Sequence, residues 1–190
     1  MSPEKIIEAG LENFDAVAPG AYYGSAAGLS LGAGLIYAGI QVPFFDTAER
    51  RFEIIESLAL VITNECDVAN ERAFDDHVLV CPIIPLRQYA ESAIASKEYD
   101  HAINLIKEIA LNRVNRVFFL PPAPKLLGEI EGLTDGGLMN LNMITATHVD
   151  LFKHGARPLC AFSAYAQGRF DRKLEQHLLR PKTELLPRTR

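Results

Sequence analysis

Apolar and polar positions alternate over short spans of this chain, and in three places give way to a helical three-and-four spacing. Leu35 to Phe45 predicts a strand that ends near Pro43, because proline has no N–H for a ladder. LALVIT (58–63) and HVLVCPII (77–84) are brief, almost wholly apolar and β-branched, the pattern of buried strands. DTAERRFEIIES between the first two runs reads as a loop or a strand edge. VNRVFFLPP predicts a strand stopped by Pro121 and Pro122, and GLMNLNMITAT predicts one more. ARPLCAFS is a last strand or a loop into the final helix. The total is about five short strands.

Helical spacing appears at Leu86–Ala95 and at Tyr99–Leu111, where Ala102, Ile103, Ile106 and Ile109 or Ala110 fall on one face and Asp100 is placed to cap the start. A third helix, Ala164–Leu179, carries Ala166, Phe170, Leu174 and Leu178 on its apolar stripe, with Ser163 as cap. Arg169, Arg172 and Lys173 lie off that stripe, on a face expected to be solvated. Pro181 stops this helix. Pro3–Asn13 predicts a short opening helix.

The chain of 190 residues, 48% hydrophobic, is long enough for one real core. One domain is expected: residues 1–34 hold the first helix and a glycine-rich segment, 35–162 the β core with inserted helices, 163–180 the last helix, and 181–190 a basic tail. The net charge of −5 hides an asymmetry, since Met1–Asp100 carries 16 acids and 6 bases while His101–Arg190 carries 8 acids and 13 bases. Such a +5 half does not by itself define a nucleic-acid surface.

From Ala16 to Phe45 there are 30 residues without a charge, with Gly20, Gly24, Gly28 and Gly32 four apart. Between Ala21 and Gly39 the only large aliphatic residues are Leu29, Leu31, Leu35 and Ile36, so a loop leading into a strand is expected rather than a membrane span. Neither a dinucleotide fingerprint nor a P-loop is present. No cofactor or metal is expected, because Cys66, Cys81 and Cys160 are widely spaced and no Cys–His cluster has zinc spacing. Reduced thiols point to a cytoplasmic protein.

The stretch LALVITNECDVANERAFDDHVLVCPIIP resembles the central strand pair of MazF/PemK-type toxins, which carry runs of the type PALVLSND and VVVCPIT. LVITNECDV (60–68), FFLPP (118–122) and LLRP (178–181) also resemble the LVLTQDCDL, LPP and RP motifs of a set of bacterial proteins related to that family. The resemblance implies a mainly β fold with α additions. Its core would be a small, strongly bent antiparallel barrel, often dimeric, with external helices and a C-terminal helix. Active toxins of the family are endoribonucleases that use an Arg just before the first strand and a Thr or Ser at the end of the second. Here those places fall near Glu56 or Ser57 and at Ile84. An acid repels phosphate and isoleucine has no proton to give. The resemblance therefore implies a binding or regulatory component of a bacterial toxin–antitoxin or phage-defence system, without ribonuclease activity.

Two enzymatic alternatives stay open. A divergent endoribonuclease would use Arg50 or Arg51. A cysteine hydrolase would use Cys66 as nucleophile, His77 as base and Asp67 or Asp76 as orienter. Over the latter, the reading of Cys66 and Asp67 as a structural corner is favoured, with Asp67 accepting backbone N–H bonds in its own turn. Thr63, Asn64, Glu65 and Asp67, with Arg50 and Arg51, are the candidate ligand or partner contacts, since loops over a rigid scaffold tend to carry function. Tyr22 and Tyr23 are further candidate partner contacts. A protein partner or a second copy is expected, nucleic acid stays open, and a membrane is not expected.

Overall fold

The computed structural model describes residues 1–12, 14, 21–46, 49–65, 68, 76–123 and 132–178, the side chains of 45 and 46 excepted. It shows a mainly antiparallel β protein with helices packed around the sheet. Among the described residues there are eight strands: β1 (Tyr23–Gly24), β2 (Leu35–Asp46), β3 (Arg51–Val61), β4 (His77–Pro85), β5 (Val117–Leu120), β6 (Gly137–Asn140), β7 (Thr145–His148) and β8 (Arg157–Phe162). Five α-helices accompany them: α1 (Pro3–Leu11), α2 (Leu86–Ser96), α3 (Tyr99–Ala110), α4 (Asp150–His154) and α5 (Ala164–Leu178). The sheet order is β1-β8-β2-β3-β4-β6-β5, with β7 also on β4.

The two runs read as buried strands lie side by side. Leu58 faces Ile83, Leu60 faces Cys81 and Val61 faces Val80 in an antiparallel ladder. The sheet centre is covered on both faces, which is why these runs are continuously apolar. Ile36, Leu60, Cys81 and Cys160 point to one side, against Phe170 of α5. Tyr37, Ala59, Val61 and Val80 point to the other, against Phe152 of α4. Farther along, Phe119 and Leu138 turn to a third apolar group, made of α1, α2 and α3 around Ile6, Leu86 and Ile106.

The expected barrel is not closed by backbone pairing. The ladder has two ends, β1 and β5. Those ends nevertheless meet through a side chain: the Tyr23 hydroxyl donates to the Pro121 carbonyl, just past β5, at 2.6 Å. Phe118 of β5 also packs at 6.1 Å, ring to ring, on Phe162 of β8. Two-residue β1 is too short to build a further ladder, so aromatic packing and one hydrogen bond span the gap.

Several expectations change in detail. Strand β3 begins at Arg51, so the RFEIIES part of DTAERRFEIIES belongs to one arm of a long β2–β3 pair. GLMNLNMITAT is broken into β6, a 3-10 turn (Leu141–Met143) and β7, because Asn140 caps the turn by accepting from the Asn142 N–H at 3.1 Å. Glu98, not Asp100, stands at the start of α3, and Asp100 lies in its first turn. Ser163 does cap α5, its Oγ accepting from the Ala166 N–H at 3.2 Å. Tyr22 and Tyr23 are buried, each 4% exposed, and are core rather than partner contacts. Leu178 is 64% exposed, past the end of the apolar stripe, whereas Lys173 is buried at 3% exposure. No described helix is long and apolar enough to cross a membrane. The tail 181–190, with Pro181, lies outside the described residues.

Candidate partner-binding groove

The long β2–β3 hairpin builds one wall of a groove. Near its base the hairpin shifts register: Tyr37 faces Ala59 and Ile40 faces Ser57, so three steps on β2 oppose two on β3. The extra residue is accommodated at Gly39, whose φ of +78° is open to glycine, and a Cβ there would stand 3.1 Å from the Gly155 carbonyl oxygen. Such a bulge bends the strand. Beyond it β2 leaves β8, whose pairing ends at Ala38, and β3 lies beyond β4, whose pairing starts at Leu58. The hairpin therefore projects as a two-stranded arm.

Between this arm, β4 and α2 lies a groove of about 740 Å³. Its floor is apolar, with Ile55, Leu58, Ile83 and Met143, and Tyr89 and Gln88 of α2 form the far side. Glu53, Glu56 and Ser57 supply its polar edge. Among the described residues that line it there is no lysine, arginine or histidine. Arg51 instead pairs with Glu53 at 2.8 Å. The Ser57 hydroxyl donates to the Leu58 carbonyl at 2.8 Å and is already engaged. Outside the groove the arm exposes Phe52 (75%) and Ile54 (66%), large apolar groups of a kind that often mark a contact surface.

The sequence-derived candidates fall in separate places. Glu56, Ser57 and Ile84, which the sequence resemblance sets at the toxins' Arg and Thr positions, come together in the groove. Arg50 and Arg51 sit at the other end of the arm, where Arg51 faces Asp46 and Arg50 takes a left-handed φ of +52°. Six residues of extended strand, about 20 Å, separate Arg51 from Ser57. Thr63 ends the first buried strand region and accepts from the Leu79 N–H at 2.8 Å. The Asn64 carbonyl accepts from the Val68 N–H at 3.3 Å, and the Glu65 backbone lies against Gly32. Cys66 and Asp67 lie outside the described residues. His77 opens β4 opposite His148, ring centroids 5.7 Å apart, on an exposed edge, and His148 stands 3.5 Å from Asp150. Among the described residues no group of acids, cysteines and histidines is set to hold a metal.

Cys81 and Cys160 are fully buried, and burial pushes both thiols up to about 12. The thiolate is the reactive form, so both are inert near neutral pH. A Cys66→Ser variant is expected to give no reaction with Ellman's reagent at pH 8 in the native state, and two thiols after denaturation. Rapid native reaction of either would contradict the burial described here.

No protein-family model matches the chain, and no curated protein shows significant similarity to it. The sequence marked Glu56, Ser57 and Ile84 only as departures from the toxin pattern, and the candidate contacts Thr63, Asn64, Glu65, Arg50 and Arg51 are not among the groove's described lining residues. The contributions of Gly39, Tyr89 and Met143 were not legible in it, because they come from elements that meet only in three dimensions.

Proposed function

We propose that this protein is a MazF/PemK-like, incompletely closed barrel without ribonuclease chemistry, acting as a binding or regulatory component of a bacterial toxin–antitoxin or phage-defence system. The observation that supports this reading is the chemistry of the groove. Where active toxins of the resembled family present an Arg and a Thr or Ser, this groove has Glu56, Ser57 and Ile84, with Glu53 nearby and no cation among its described lining residues. A phosphodiester entering it would meet two carboxylates and, among the described lining residues, no cation to stabilise a developing negative charge. An apolar floor with a polar rim instead suits a polypeptide segment, whose side chains fill the floor while its backbone meets the edge.

The test has two arms. Incubation with single-stranded RNA is expected to leave the RNA intact. Cleavage that disappears in the Arg50→Ala, Arg51→Ala double variant would replace this reading with a divergent ribonuclease. In the second arm the chain is co-expressed with the product of the adjacent gene. A complex is expected, and Ser57→Arg, which places bulk and charge on the groove edge, is expected to weaken it at least tenfold. Absence of a complex, or one indifferent to Ser57→Arg, would count against the groove.

A further inference from the structure

The buried lysine on α5 is the least expected feature of the fold. Lys173 follows Phe170 by three residues and turns inward beside it, to 3% exposure. Its Nζ donates to Asn112 Oδ1 at 2.6 Å. Asn112 stands just past α3 in a left-handed conformation, φ +59°, and its own N–H is taken by the Ile109 carbonyl at 2.8 Å. An ammonium carries three donors. Among the described residues the only hydrogen-bond partner of Lys173 is this neutral amide, and none of the ion pairs includes it. A charge removed from water without a counter-charge is costly, and proteins as a rule pair it.

The same lysine lines a cavity of about 490 Å³ beside α5. Arg169 and Arg172, four residues and one residue before it on the helix, line it too, and no acid is among its described lining residues. Arg169 is half-buried, its Nη1 donating to the Tyr165 hydroxyl at 3.1 Å while its guanidinium lies 5.8 Å from that ring's centroid. Arg172 is exposed at the mouth, and Gly168 leaves open space on its side, since a Cβ there would meet nothing within 4 Å. Asp171, the nearest acid on the helix, is engaged by Gln167 at 2.7 Å. Burial, and then the neighbouring Arg169, lower the Lys173 pKa, as expected of cations gathered without a counter-ion.

We infer that this cavity is a binding site for a small phosphorylated ligand, whose phosphate is held by Lys173, Arg169 and Arg172 and whose organic part packs on the exposed ring of Tyr165. A phosphate monoester carries about −1.5 to −2 charges at neutral pH, which suits three converging cations better than a single carboxylate does. The guanidiniums supply planar, paired donors, and the ammonium supplies a point charge. The cavity lies within the range of about 300–1,000 Å³ usual for small-ligand sites. This site is separate from the groove, and neither reading depends on the other.

The experiment is calorimetric titration at low salt with pyrophosphate, AMP and a single-stranded oligonucleotide as probes. Pyrophosphate and AMP are expected to bind saturably, one per chain, with AMP displaced by pyrophosphate. Arg172→Gln and Lys173→Met are each expected to weaken both at least tenfold. Arg172 is exposed, so its variant decides the matter even where Lys173→Met fails to fold. Three results would overturn the inference: no saturable binding of either small probe, Arg172→Gln binding within twofold of wild type, or binding by the oligonucleotide alone.

Discussion

Replacing Phe170 by alanine is expected to cost the fold about 3–5 kcal/mol, seen as a large fall in the urea midpoint with an unchanged slope. Phe170 is 1% exposed and is the main anchor of α5 on the sheet. Its ring meets Phe118 edge-on at 5.4 Å and 89°, and Phe162 at 6.0 Å and 65°. Phe118 belongs to β5 and Phe162 to β8, near the two ends of the ladder. Truncation therefore removes the transfer free energy of the ring, leaves a cavity and loosens the contact that holds the curled sheet together. Phe170→Leu keeps most of the volume and is expected to cost much less. A loss below about 1 kcal/mol for the alanine variant would mean that α5 is not seated where it is described.

Alkaline pH is expected to unfold the protein through its buried thiols. Burial keeps Cys81 and Cys160 neutral in the folded chain up to about 12, against an ordinary 9.0. The cause in both is burial, and the Cys81 S–H faces the Asn140 carbonyl oxygen at 3.6 Å. Above pH 9 the unfolded chain has lost these protons while the folded chain keeps them. Stability is thus fully present below pH 9 and declines as pH rises toward 12. With both thiols deprotonated only in the unfolded chain, the slope is roughly 3 kcal/mol per pH unit, and two units of it reach the low end of a typical domain's stability, about 5–15 kcal/mol. Tyr23, held well above its ordinary 10.0 chiefly by burial, steepens the fall above pH 10. Urea titrations from pH 7 to 11 test this. A Cys81→Ala, Cys160→Ala variant is expected to start less stable at pH 7 and to show a clearly shallower decline. An identical decline would assign the effect to other groups.

Much of the secondary structure was legible because local physics determines it. The continuous apolar runs at 58–63 and 77–84 became a buried antiparallel pair, and Pro85 ended the second where expected. Ser163 became a cap, and Ala166 and Phe170 became the inner face of the last helix. The misreadings share a cause. Tyr22 and Tyr23 look like loop aromatics until β8 and Pro121 are brought beside them from more than ninety residues away. DTAERRFEIIES reads as a loop or a strand edge, and its part from Arg51 on takes the strand alternative, pairing along β2, where a hairpin needs no buried face on both sides. Lys173 sits where helical spacing predicts water, and it is buried because Asn112, at the end of another helix, closes over it.

By itself the sequence determined which segments are strand or helix and which of their faces seek burial, since periodicity and caps act over a few residues. Only the tertiary structure decided how far the sheet curls, that its ends meet through Tyr23 rather than through a ladder, and that Glu56 and Ile84 share a groove while three cations share another cavity. Those outcomes depend on contacts between residues remote in the chain, whose energies no local pattern encodes.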